Sequence, residues 1–91
     1  MNATTVTSTV KLVYLARLRE AFGTSGESLT INGVSTVADV VAALRERGEP
    51  WSRELAPGRA FRVAVNHSLA NSDAAVRDGD EVALLPPVTG G

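Results

Sequence analysis

The last residues of the chain are the ones best suited to chemistry. The sequence ends in Pro86, Pro87, Val88, Thr89, Gly90 and Gly91. The two prolines favour an extended, stiff backbone, and the five residues that follow Pro86 can span roughly 16 Å. The final two glycines have no side chains, so this end can enter a narrow channel. We therefore predict an extended C-terminal tail over residues 87–91.

A terminal carboxylate is a poor electrophile, and it reacts only after activation. Joining the Gly91 carboxylate to AMP would give an acyl-adenylate from which AMP departs readily. A sulfur or amine nucleophile could then attack the acyl carbon, which glycine leaves unhindered. The composition therefore favours a carrier whose reactive group is Gly91.

Composition excludes several other kinds of function. The net charge is −1 with no basic stripe, which argues against a nucleic-acid partner. The absence of cysteine removes thiolate metal sites, and a lone His67 cannot form a histidine metal site. No apolar run approaches the roughly 18 residues of a membrane helix. Residues 1–9 lack the features of a signal peptide, so we expect a flexible leader on a cytoplasmic protein.

The clearest structural element is a helix that Ser35 or Thr36 can cap. Thr36 and Asp39 have the spacing of a capping box. Gly48 can adopt the left-handed backbone conformation that commonly ends a helix. The apolar stripe of this helix consists of Val37, Val40, Val41 and Leu44. This stripe should pack against a sheet.

Segments rich in β-formers or with alternating apolar residues predict the strands. They cover residues 10–15, 27–32, 61–66, 69–70 and 81–85. A short helix over 17–22 should end at Gly23, and residues 51–55 should form one helical turn. The resulting order predicts an α+β domain over residues 10–86, in which one main helix crosses a mixed sheet as in a β-grasp.

Strand alternation also predicts a second surface. If Val10 and Leu12 face the helix, then Leu15 faces away from it. If Val82 and Leu84 face the helix, then Leu85 faces away as well. Leu69, on the short strand, is their expected neighbour, so Leu15, Leu69 and Leu85 should form an apolar patch beside the root of the tail. A register error of one residue would reverse this assignment.

Other polar residues have simpler explanations than catalysis. His67 and the acidic residues near Asp78 fit solvated turns, and no calcium-loop spacing is present. Arg17 and Arg19 fit a solvated helix face, although they could also contact acidic groups on a partner. Trp51 fits a satellite core beneath the loop from Pro50 to Pro57.

The end of the sequence resembles the small subunits of molybdopterin synthase. The resemblance is specific at residues 78–91, where DGDEVA precedes the PPVTGG tail. Weaker likenesses occur in residues 10–19, in the helix from Thr36 and in residues 64–66. Together they cover residues 10–91.

This resemblance implies a ubiquitin-like β-grasp and a carrier with no catalytic centre of its own. It implies that an E1-like activating enzyme adenylates Gly91 and that a sulfurtransferase converts it to a thiocarboxylate. No cofactor is permanently bound; the AMP adduct and the thiocarboxylate are transient.

The resemblance also implies that the tail enters the large synthase subunit, in a heterotetramer with two copies of each subunit. There, sulfur passes to cyclic pyranopterin monophosphate. The implied partner-binding residues are Leu15, Leu69, Leu85, Pro86, Pro87, Val88, Thr89 and Gly90.

Three alternatives remain open at this point. The chain could carry sulfur for thiamine or cysteine synthesis. It could be a ubiquitin-like modifier that is conjugated to lysines. It could also be an interaction module whose tail is incidental.

Overall fold

The computed structural model describes residues 7–32 and 35–87 of the chain. The strands are β1 (Thr7–Tyr14), β2 (Gly26–Asn32), β3 (Ser35–Thr36), β4 (Arg62–Val65), β5 (Ser68–Ala70), β6 (Ala75–Val76) and β7 (Glu81–Leu85). The helices are α1 (Ala16–Phe22), α2 (Val37–Arg45) and α3 (Trp51–Glu54).

A mixed sheet has the strand order β2–β1–β7–β4–β5. β7 is its central strand, parallel to β1 on one side and antiparallel to β4 on the other. β1 and β2 form the predicted antiparallel hairpin. The predicted α+β arrangement of a mixed sheet and one main helix is therefore confirmed.

The core lies between α2 and one face of the sheet. Val10, Leu12 and Tyr14 of β1 are fully buried, as are Val82 and Leu84 of β7. α2 contributes its predicted stripe, all of it buried, through Val37, Val40, Val41 and Leu44. Because side chains alternate along a strand, the residues between these buried positions lie on the opposite face.

The start of α2 has the capping box that the sequence predicts. The Asp39 N–H donates to the Thr36 hydroxyl at 3.2 Å, and the Thr36 N–H donates to the Asp39 carboxylate at 2.9 Å. The helix ends at Arg45, and Gly48 has a φ of 89°, in the left-handed region. The sequence therefore defines both ends of this helix.

The predicted N-terminal boundary is wrong by three residues. β1 begins at Thr7, so Thr7 to Thr9 belong to the sheet and not to a leader. The Thr9 N–H donates to the Asp78 carboxylate at 2.7 Å, and the Thr9 carbonyl accepts from the Gly79 N–H at 2.9 Å. These long-range bonds, together with the pairing of Thr7 to Thr9 with residues 30–32 of β2, extend the strand beyond its predicted start. Residues 1–6 lie outside the described residues.

A second, two-stranded sheet was not predicted. β3 and β6 pair over two residues each, with Ser35 opposite Val76 and Thr36 opposite Ala75. Next to this pair, the Val37 N–H donates to the Ala74 carbonyl at 3.0 Å. The small sheet thus attaches the start of α2 to the segment that precedes β7.

Trp51 belongs to the main core rather than to a separate cluster. Its ring stacks on Phe22, with 5.2 Å between the ring centroids, and it packs against the core with one side partly exposed. The Arg47 guanidinium lies 5.0 Å from the centre of the Trp51 ring. α3 is therefore packed beside α1.

No helix within residues 7–32 and 35–87 combines the length and the apolar character needed to cross a membrane.

Candidate functional site

The tail leaves the domain from the end of the central strand. Leu85, the last residue of β7, is half-buried and pairs with Arg62 of β4. Pro86 has no N–H to extend the pairing; it is half-buried, and Pro87 is exposed. The tail therefore starts directly after a strand that pairs with β1 as far as Leu84 and with β4 as far as Leu85. The predicted residues Val88, Thr89, Gly90 and Gly91 lie outside the described residues.

A row of apolar side chains crosses the sheet on the face opposite α2. Val13 of β1 is the register partner of Ala83 of β7, which pairs with Ala64 of β4, and Ala64 pairs with Leu69 of β5. Sequence analysis missed the two alanines, although the same alternation could have placed them there. Their small side chains form a shallow floor between larger neighbours.

Leu15, Leu69 and Leu85 lie around this floor, as the sequence predicts. Leu69 is 61% exposed and Leu15 is 42% exposed, while Leu85 is half-buried. With Val13, Ala64 and Ala83 they line an open concavity of about 410 Å³. We call this surface the leucine face. Large exposed apolar side chains grouped beside a chain end are typical of a protein-binding surface.

Polar residues mark one edge of the leucine face. His67 is highly exposed with a φ of 74°, and its Nδ1 lies 3.7 Å from a carboxylate oxygen of Glu81. Both side chains line the same concavity. An apolar centre with a polar edge is the usual composition of a docking surface.

The acidic residues before β7 stabilise a turn. The Arg77 N–H donates to the Asp80 carboxylate at 2.8 Å, and the Asn66 side-chain amide donates to it at 3.0 Å. The Arg77 hydrogen bond, with a smaller effect from Asn66, lowers the pKa of Asp80. Across the described parts of the chain, no three histidine or acidic side chains are grouped closely enough to hold a metal ion.

An ionic cluster lies beside Pro86 and Pro87, which we call the tail root, on the side opposite the leucine face. The Glu54 side chain is only 8% exposed, and one of its oxygens accepts from Arg17 at 2.6 Å and from Arg59 at 3.3 Å. Arg53 lies 3.6 Å from the other oxygen. Sequence analysis missed this cluster, because Arg17 and Glu54 are 37 positions apart and the cluster follows no local pattern.

A second, partly exposed network links β1 and β2 to Arg47. The Tyr14 hydroxyl donates to the Glu27 carboxylate at 2.6 Å, and Arg47 donates to the same oxygen at 2.7 Å. Burial, and then the Glu27 hydrogen bond, raises the pKa of Tyr14 above its usual range. The Arg47 hydrogen bond lowers the pKa of Glu27. This network joins β1 and β2 to the segment that follows α2, so we interpret it as structural.

The sequence model of the ThiS family matches residues 12–91, which include the whole of the tail and most of the sheet. The chain belongs to the ThiS family. A relative from Haemophilus influenzae, named molybdopterin synthase sulfur carrier subunit, is 34% identical over 82 residues, which cover 90% of this chain and 99% of the relative. A relative of the same name from Escherichia coli gives the same identity and coverage.

Solved structures place this ThiS-family chain among ubiquitin-like β-grasp proteins, as the sequence predicts. SAMP1 of Haloferax volcanii has a TM-score of 0.74 and 30% identity, with 92% of this chain and 100% of that chain covered. The complex of subunits 1 and 2 of the molybdopterin-converting factor of Helicobacter pylori contains a chain with a TM-score of 0.59 and 27% identity. The match covers 91% of this chain and 99% of that one.

Proposed function

We propose that this chain is the sulfur-carrying small subunit of a molybdopterin synthase and that it works through Gly91. The observation that carries the proposal is its similarity, over 90% of its length, to proteins named molybdopterin synthase sulfur carrier subunit. The leucine face beside the tail root supports it, because a carrier must dock before its terminus can enter a partner's active site.

The proposed chemistry takes place at the terminal acyl group. An E1-like activating enzyme joins the Gly91 carboxylate to the α-phosphate of ATP and releases pyrophosphate. Hydrosulfide supplied by a sulfurtransferase then attacks the acyl carbon; the bond from that carbon to the AMP oxygen breaks, AMP leaves, and Gly91 ends in a thiocarboxylate. The general acids and bases come from the partner enzymes, so the chain alone is not an enzyme.

In this proposal the large subunit receives the thiocarboxylated tail. Leu15, Leu69 and Leu85 bind the large subunit, Pro86 to Thr89 lie along its channel, and Gly90 lets the terminus reach the acceptor. The acceptor is cyclic pyranopterin monophosphate. A dithiolene needs two sulfur atoms and each tail delivers one. Two thiocarboxylated carriers are therefore consumed per product, which fits two copies of each subunit.

Because activation consumes ATP, we place the carrier in the cytoplasm.

Intact-protein mass spectrometry tests this function. The full chain is incubated with ATP, an E1-like activating enzyme and inorganic sulfide, and replacement of the terminal oxygen by sulfur adds about 16 mass units. A variant lacking Gly91 should fold normally and gain no mass. An unchanged mass for the full chain, with an activating enzyme that modifies a known carrier, would overturn the proposal.

Acceptor assays then separate the sulfur-carrier alternatives. The thiocarboxylated chain is incubated with the large subunit and cyclic pyranopterin monophosphate, with a thiazole-forming enzyme, or with a cysteine-forming enzyme. We expect sulfur transfer only in the first reaction. Transfer in one of the other two alone would assign the chain to thiamine or cysteine synthesis.

A protein modifier is the second candidate function. The similarity to SAMP1, a small archaeal modifier protein, favours it. A modifier would form isopeptide bonds between Gly91 and lysines of other proteins. Such adducts would be found by tryptic mass spectrometry of cells that express the full chain, and they would be absent with the Gly91 deletion.

A further inference from the structure

The tail root lies between two chemically different surfaces. Leu85 and the leucine face lie on one side of it. On the other side, Pro86 and Pro87 line a concavity of about 270 Å³ together with Arg17, Glu54, Arg59 and Phe61. A protein that encloses the tail at Pro86 and Pro87 must therefore contact both surfaces.

The second concavity carries an excess of positive charge. Within the described residues, Glu54 is the one acidic side chain within ion-pair distance of Arg17 and of Arg59. The two guanidiniums share a single Glu54 oxygen, and the side chains of Arg17 and Arg59 are 56% and 43% exposed. Each guanidinium has several N–H donors, so both keep donors that face solvent.

Glu54 fixes the positions of these two arginines. Its carboxylate is nearly inaccessible to water and connects α3 to Arg17 of α1 and to Arg59 of the following loop. Arginines held in this way lose less side-chain entropy when a ligand binds than free surface arginines do. The concavity is thus prepared to bind an anion beside the exit of the tail.

We infer that the Arg17–Arg59 concavity binds an acidic side chain of the large synthase subunit while the leucine face binds an apolar surface of the same subunit. A carboxylate is the anion that matches two exposed guanidiniums at a protein interface. The inference rests on the proposed function, because it takes the tail-receiving protein to be that subunit. It adds an ionic contact to the apolar one and places the two on opposite sides of the tail.

Binding of the full chain to the large subunit, measured by calorimetry over a range of sodium chloride concentrations, tests this contact. The test variant is R17Q/E54Q/R59Q, which removes the charges of these three side chains and leaves no unpaired buried carboxylate. We expect it to bind roughly tenfold more weakly at low salt, with a weaker salt dependence than the wild type. Its thermal unfolding is recorded to show that it folds.

Arg77→Gln is the matched control. It changes the net charge by one unit, as the triple variant does, but Arg77 precedes β7 whereas the tail follows it. We expect this control to bind within about twofold of the wild type. Arg59→Gln alone is a milder variant that keeps the Arg17–Glu54 pair, and it should weaken binding in the same direction.

The outcomes separate the two proposals. Wild-type affinity in R17Q/E54Q/R59Q and R59Q at every salt concentration would overturn the ionic contact and leave the carrier function intact. An equal loss of affinity in Arg77→Gln would also overturn it, because the effect would then come from overall charge. No binding of the wild-type chain to the large subunit would overturn both the contact and the proposed function.

Discussion

The Leu15 N–H donates a hydrogen bond to the Leu84 carbonyl, with 3.1 Å between nitrogen and oxygen. This bond joins the residue that precedes α1 to the central strand, one residue before its end. Leu15 is thereby held beside Leu85 and the tail root. The leucine face and the start of the tail consequently have a fixed relative position. A partner that docks on the face therefore meets the start of the tail at that position.

Leu69→Asp should weaken binding to the large subunit without weakening the fold. Leu69 is highly exposed, so the free chain should change in unfolding free energy by no more than about 0.5 kcal/mol. A carboxylate buried against an apolar partner is costly, and we expect the affinity measured by calorimetry to fall roughly tenfold or more. Thr30→Asp, an exposed position on the edge strand β2, is the control. An equal effect of both substitutions would contradict the prediction.

Gly26→Ala should destabilise the β1–β2 hairpin. A Cβ atom at Gly26 would lie 2.4 Å from the carbonyl oxygen of Leu12, whose own side chain is fully buried. The strands must shift to relieve this clash, and we expect a loss of about 1–3 kcal/mol in the free energy of unfolding. Urea denaturation measures it, with Ser28→Ala at an exposed position of β2 as the control. A Gly26→Ala variant as stable as Ser28→Ala would show that the hairpin adapts.

Thr36→Ala should cost about 1 kcal/mol of unfolding free energy, because the Asp39 N–H loses its acceptor at the start of α2. Thr36→Ser keeps a hydroxyl in the same place and should remain close to the wild type. Thermal and urea denaturation of the two variants check this difference. If serine and alanine were equally destabilising, the methyl group of Thr36 and not its hydroxyl would be the stabilising part.

The Glu27 carboxylate should contribute to stability at neutral pH but not in acid. The Arg47 hydrogen bond lowers its pKa in the folded state, so its contribution is complete above the unfolded-state pKa, about 4.3, and is lost as the pH falls through the folded-state pKa. Glu27→Gln should therefore be less stable than the wild type at pH 7 and lose less stability in acid. Urea denaturation from about pH 7 to pH 3 measures this, with Glu20→Gln on α1 as the control. Parallel pH profiles for the wild type and Glu27→Gln would contradict it.

Local patterns predicted the parts of the fold that local interactions determine. The capping box needs only Thr36 and Asp39, three positions apart, and the apolar stripe of α2 follows the helical period. The short strand at Leu69 and the turn of helix at Trp51 were predicted in the same way. In contrast, β3 and β6 are two residues long and have no period to detect, so only their pairing defines them.

The candidate site was predictable where strand alternation determines it. Alternation placed Leu15 and Leu85 on one face, with Leu69 of the short strand as their expected neighbour, and the structure brings the three together there; their role in binding remains a prediction. The cluster around Glu54 was not predictable, because Arg17 and Glu54 meet only after α1 and α3 pack. Arg17 was interpreted as a solvated helix residue with a possible acidic partner, and its buried partner within the chain was missed.

The central position of β7 has a mechanical consequence for a chain that is pulled by its end. Force applied to the tail acts along a strand that is bonded to β1 on one side and β4 on the other. Both ladders must then slide together, whereas a strand at the border of a sheet can unzip one bond at a time. A partner or a protease that pulls on the terminus must therefore break the hydrogen bonds of β7 to both β1 and β4 before the domain unfolds.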